Sequence, residues 1–166
     1  MRLSIIISVG LLLFAGPSLP VMSQSPVQIA NASTNINLAQ RRLNFNRRLW
    51  NQKNISNYRY TFSNSCFCIP DARGPVVIEV RNGQIKSVTS VETGQKVPNP
   101  EYFDRYNTIP KLFNVIQDAI NRRAASLDID YNAKLGYPTE INVDYNIQIA
   151  DEEIYLKIEN FQKIKY

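Results

Sequence analysis

NYRYTFSNSCFCIPDARGPVVIEVRNGQIKSVTSV, residues 57–91, is the stretch on which the fold turns. Tyr58, Tyr60 and Phe62 alternate with Arg59, Thr61 and Ser63. Aromatic and β-branched residues at period two suit a strand with one buried face, so the aromatics are predicted to face a core. Val76, Ile78 and Val80 alternate likewise with Val77, Glu79 and Arg81, and Asn82-Gly83 follows. Both residues of that pair tolerate positive φ, as a two-residue type I′ turn requires. A hairpin is therefore predicted, its second strand running from Gln84 to about Val91. Between the first strand and the hairpin, Cys66 to Pro75 contains two prolines and a glycine, which end the ladder and make a loop.

The only two cysteines, Cys66 and Cys68, lie in that loop. In a regular strand, residues two apart share a face with Cα atoms roughly 6.6 Å apart. A disulfide accepts roughly 4.4–6.8 Å, so bonding the pair demands a bend at the strand end. So small a ring adds little loop entropy, which points to local shape rather than global stability. The pair reads as a structural disulfide of an oxidising compartment. A redox dithiol is the alternative, although such sites favour Cys-x-x-Cys at a helix N-terminus. Soft-metal capture is a third reading, but two thiolates fill only half of a tetrahedral site and the chain has no histidine to complete it.

On the N-terminal side, Leu38 to about Asn54 is predicted to be helical. Leu38, Phe45 and Leu49 share one face, Leu43 and Trp50 lie to one side, and Arg41, Arg42, Arg47, Arg48 and Lys53 cover the rest. No acid interrupts these cations between Ala39 and Ser56. Arg41, Arg42, Arg47 and Arg48, with Trp50, are thus candidate anion-binding residues, against the plain alternative of a solvated helix face. On the C-terminal side, residues 92–107 read as a loop. Thr108 is placed to cap a helix from Ile109 to about Arg123, whose apolar residues recur at the 3.6-residue period. Three strands are expected after it, around Leu127–Tyr131, Ile141–Tyr145 and Ile154–Ile158. Asp128, Asp130 and Asp144 fall on the polar phase of the first two. They are candidate cation-binding residues, although Ala133 and Thr139 stand where a calcium loop needs glycine and glutamate.

Written coarsely, the order is helix, three strands, helix, three strands. The expected fold is α+β, two helix-plus-three-strand units forming antiparallel sheet packed on amphipathic helices, and the repeated plan suggests duplication. Trp50 with Asn57-Tyr58-Arg59-Tyr60, the Cys66-Phe67-Cys68 triplet, Val80-Arg81-Asn82-Gly83, Phe113, Tyr131 with Gly136-Tyr137-Pro138, and Asp144 with Asp151-Glu152 together resemble the bacterial domain of unknown function 6174. The resemblance spans about Trp50 to Phe161. It implies a bacterial exported protein and brings no activity, substrate or catalytic residue; the arginine-rich helix matches no family pattern.

At the start, Met1-Arg2-Leu3-Ser4 precedes an apolar run, Ile5 to Ala15, too short to span a bilayer as a stable helix. Residues 1–23 are expected to be a signal peptide cleaved before Gln24, 24–37 a flexible leader, and 38–166 one domain. Loss of Arg2 leaves 18 basic and 14 acidic side chains, a net charge of +4. The product is expected to be periplasmic or extracellular, with no integral membrane segment after cleavage and no nucleic-acid partner. Without histidine, Ser-His-Asp and Cys-His nucleophile systems are excluded, and no glycine-rich phosphate loop is present. No cofactor is expected. The function expected is a non-enzymatic exported module that binds an unknown protein or envelope component; the alternative is a thiol-disulfide redox or soft-metal protein using Cys66 and Cys68.

Overall fold

The computed structural model describes residues 26–146, 148–149 and 153–165, with side chains from residue 35 onward. The expected signal segment lies outside the described residues. The order is α1 (Pro26–Gln52), β1 (Tyr58–Ser65), a 3-10 turn (Pro70–Ala72), β2 (Val76–Arg81), β3 (Gln84–Ser90), a second 3-10 turn (Pro100–Phe103), α2 (Ile109–Asn121), β4 (Ser126–Tyr131), β5 (Pro138–Asp144) and β6 (Ile154–Lys163). The strands form one antiparallel sheet in the order β3-β2-β1-β6-β5-β4, with both helices over one face, an α+β fold.

Local chemistry explains the elements. Asn82 and Gly83 both take positive φ, and the β2–β3 hairpin closes there as the sequence predicts. The Thr108 hydroxyl caps α2 by accepting from Lys111 N–H at 3.3 Å, and Ile109, Leu112, Phe113, Ile116 and Ile120 are buried at helical spacing. In β6 the extra residue Asn160, with positive φ, makes a bulge opposite Arg59–Thr61. Without that insertion the alternation set by Leu156 and Ile158 would turn Phe161 to solvent. With it, Phe161 stacks on Tyr58 and Tyr137 at 5.5 and 4.5 Å.

Two expectations are corrected. α1 begins at Pro26, well before the helix start expected at Leu38. Proline suits a first helical position, and no glycine or second proline follows before Gln52. The inward face of α1 is also different: Leu38 and Phe45 are 56 % and 60 % exposed, while Leu43, Asn46 and Trp50 are buried. This stripe wins because it delivers Trp50 to Tyr58, Tyr137 and Phe161, and because Asn46 satisfies its own amide by donating to the Arg42 carbonyl at 2.9 Å. The unit plan is kept: β1, β2 and β3 pair in succession, as do β4, β5 and β6, and the last strand of the second unit joins the first strand of the first.

Candidate functional site

β1 stops at Ser65, opposite Tyr155 of β6, and the cysteine loop begins there. The chain turns back through the 3-10 turn, and Asn64 N–H donates to the Arg73 carbonyl at 2.7 Å. Arg73 in turn donates from Nε and Nη2 to the Cys68 carbonyl at 2.9 and 2.6 Å. Gly74, at φ +81°, completes the return. A Cβ there would meet the Phe62 carbonyl oxygen at 2.8 Å, so only glycine fits. Cys66 and Cys68 are a close pair, their Cα atoms 5.2 Å apart and their sulfurs in contact, which is the bend the strand-end reading requires. Both are half-buried, and Phe67 between them is 86 % exposed.

Other loops meet at the same end of the sheet. Val76 of β2 pairs with Ser90 of β3, and Val143 of β5 pairs with Ile154 of β6. The 91–99 connection, the end of β5 and the start of β6 therefore lie at the same end of the sheet as the cysteine loop. Ile69, Val91, Ile149 and Tyr155 are exposed there with Phe67, as is Tyr102 on the second 3-10 turn, which touches the first. A cleft of about 360 Å³ opens between the cysteine-loop return and the 90–99 loop, lined by Asp71, Pro75, Glu92, Thr93, Lys96 and Asn99. The sequence marked Cys66 and Cys68 but not this gathering. Its signal was Phe67, one residue out of phase with the thiols and hence turned away from them.

The other candidates go elsewhere. Arg42 Nη2 donates to the Ile129 carbonyl at 2.8 Å and its guanidinium lies over the Tyr131 ring. Arg47 Nη2 donates to the Phe113 carbonyl at 2.9 Å and lies over that ring. Both arginines therefore fasten α1 to its neighbours, while Arg41 and Arg48 point to solvent. Trp50 is a core residue, edge-on to Tyr58, Tyr137 and Phe161. Asp128 and Asp130 are exposed on the helix-free face of β4, and Asp144 accepts from Asn146 N–H at 2.9 Å. Among the described residues no three cysteine or acidic side chains converge as a metal site.

A second polar cluster is internally satisfied. Asp118 Oδ2 receives Arg105 at 3.1 Å and the Tyr145 hydroxyl at 3.2 Å, with Arg122 at 3.8 Å and stacked over the Tyr145 ring. Burial first, then the neighbouring carboxylate, raises the Tyr145 pKa. The group ties α2 to the end of β5 and offers no free donor set.

No curated protein and no solved structure matches the chain. A family model does, over residues 42–163, which take in every strand, α2 and the C-terminal part of α1 from Arg42. The chain belongs to the family of unknown function DUF6174.

Proposed function

We propose that this is an exported, non-enzymatic binding module that engages a protein or other envelope component through the cysteine-loop end of its sheet. The observation that carries the reading is the exposure, at one end of the sheet, of Phe67, Ile69, Val91, Ile149 and Tyr155, with a cleft of about 360 Å³ between the cysteine-loop return and the 90–99 loop. Exposed aromatic and aliphatic side chains at one end of a sheet are what a docking surface presents, because burying them supplies the association energy. The hydrogen-bonded return through Arg73 and Gly74 holds the loop in shape beforehand, which lowers the ordering cost of docking. Export rests on the basic start and apolar run of residues 1–15. Cleavage before Gln24 leaves α1, from Pro26, intact.

The test is a photo-crosslinking residue placed at Phe67, or at Gln84 beyond the opposite turn, in cells making the full chain, with the N-terminus of the product read by mass spectrometry. A discrete adduct from position 67 alone, competed by excess unlabelled protein and not by an Ile69→Asp/Val91→Asp variant, supports the reading. Adducts equal from both positions, or a product retaining residues 1–23, count against it. The redox alternative draws on the half-buried close pair of sulfurs. A glutathione-poised titration of alkylatable thiol decides it: resistance to the glutathione pool leaves the bond structural, and ready exchange supports the redox role.

A further inference from the structure

The outer face of α1 carries a stripe that neither the core nor the cysteine-loop end uses. Leu38, Arg41, Phe45, Arg48 and Gln52 succeed one another at spacings of three and four, which aligns them opposite the inward Leu43, Asn46 and Trp50. Leu38 and Phe45 are more than half exposed. α1 contains no acid. Among the described residues, the ion pairs are Arg81–Glu79, Arg105 and Arg122 with Asp118, and Lys157–Glu159, so no cation of α1 has an acidic partner. Arg42 and Arg47 are engaged by backbone carbonyls, and Arg41 and Arg48 are left to solvent.

The acids collect elsewhere. Residues 126–153 hold seven of the chain's 14, and Asp128, Asp130 and Glu140 lie on the sheet face turned away from the helices. The molecule is thus polarised, cationic over α1 and anionic on the β4–β5 part of the open face, while Arg59, Arg81 and Lys157 stand on the rest of that face.

We propose that this stripe seats the protein on an anionic membrane surface, with α1 lying in the headgroup plane. Guanidinium groups pair with lipid phosphates in fork geometry, and Leu38 and Phe45 reach the boundary of the acyl chains. No described helix is long and apolar enough to cross a membrane, so surface attachment is what α1 itself can offer. The same anionic surface repels the β4–β5 part of the open face, which orients the protein helix-side down. A second copy offering its open face is the rival occupant. That face is a mixed counterpart, because beside Asp128, Asp130 and Glu140 it presents Arg59, Arg81 and Lys157, which oppose the arginines of α1. The inference stands independently of the docking role of the cysteine loop.

Flotation of the full protein with vesicles tests it, comparing phosphatidylcholine alone with phosphatidylcholine and phosphatidylglycerol in equal parts, at low and high salt. Any contribution from the apolar N-terminal run is common to both vesicles, so the readout is the difference between them. Binding is expected on the anionic vesicles and is weakened by salt. At roughly fivefold per basic residue, R41Q/R48Q lowers that partition by about 30-fold, with an unchanged melting temperature because both side chains are exposed. L38S/F45S also lowers it while keeping the salt dependence. Equal binding to both vesicles, or anionic binding that R41Q/R48Q leaves intact, overturns the inference. So does a concentration-dependent dimer that R41Q/R48Q dissolves while vesicles recover no protein.

Discussion

Where β1 begins, Trp50, Tyr58, Tyr137 and Phe161 pack ring against ring under α1, and Gly136 brings the β4–β5 turn onto the helix backbone. Where β1 finishes, Phe67 stands 86 % exposed between two half-buried sulfurs, and neighbouring loops leave further apolar side chains in water. Both ends are rich in large apolar groups, so composition does not separate them. What separates them is whether the helices cover the apolar groups: α1 and its tryptophan close the first end, whereas α2 reaches the second only at Tyr145 and leaves Phe67, Ile69 and Val91 in water. Stability should therefore reside at the aromatic end and binding at the cysteine-loop end, a division that substitutions can break.

The largest effects belong to the aromatic end. Trp50→Ala removes three edge-on ring contacts and leaves a cavity, and should cost about 3–5 kcal/mol in urea unfolding. Gly136→Ala should be comparably severe. Its φ is +81°, and its new Cβ would collide with the Asn46 carbonyl oxygen and press on the Leu49 side chain at 3.1 Å. If both variants unfolded at the wild-type urea midpoint, the aromatic end could not be the stabilising one.

Alkaline pH probes the same packing. Burial pushes the Tyr58 pKa up to about 12, against the lowering effect of the Ile109 N–H that its hydroxyl accepts at 3.1 Å. Tyr131 is likewise pushed up to about 12 by burial, although Arg42 and Arg47 oppose the shift. Burial, then the neighbouring Tyr58, raises Tyr60 well above the usual tyrosine value. A raised pKa means that the folded state keeps protons the unfolded state has lost. Stability is then fully present below pH 10 and falls as pH rises from 10 toward 12. A shift of two units corresponds to about 2.7 kcal/mol per group when the whole window has been crossed. Tyrosinate absorbance should show these three ionising only with unfolding. Ionisation of all nine tyrosines by pH 11 in a protein that is still folded would contradict the assignment of the core.

Much of this division was legible in the sequence. Period-two alternation located Tyr58, Tyr60, Phe62 and the hairpin, and the Thr108 cap located α2, because those signals are local. The inward face of α1 was misread for a physical reason. Asn46 looks polar in sequence but is satisfied within its own helix, so the true stripe scored worse than Leu38, Phe45 and Leu49. Strand order was illegible for a different reason: β1 meets β6 across nearly the whole domain, and only the tertiary fold brings them together. The cysteine-loop rim escaped notice similarly, since Phe67, Val91 and Ile149 belong to three separate connections.

At the cysteine-loop end the effects on stability should be small. Cys66→Ser/Cys68→Ser opens a ring spanning two residues in sequence, worth about 1–2 kcal/mol in the loop-entropy account. The double variant should fold, with added mobility confined to the loop in hydrogen exchange. Phe67→Ala should do less still. An exposed side chain away from caps and turns contributes within about 0.5 kcal/mol, so its urea midpoint should match wild type. The two results together sharpen the contrast. If Phe67 is an anchor, Phe67→Ala and the cysteine double variant should both lose partner crosslinking, the first by removing the group that docks and the second by loosening the bend that presents it. A Phe67→Ala protein that melts well below wild type would show that the ring is held by the fold, and would move this end into the stabilising half of the molecule.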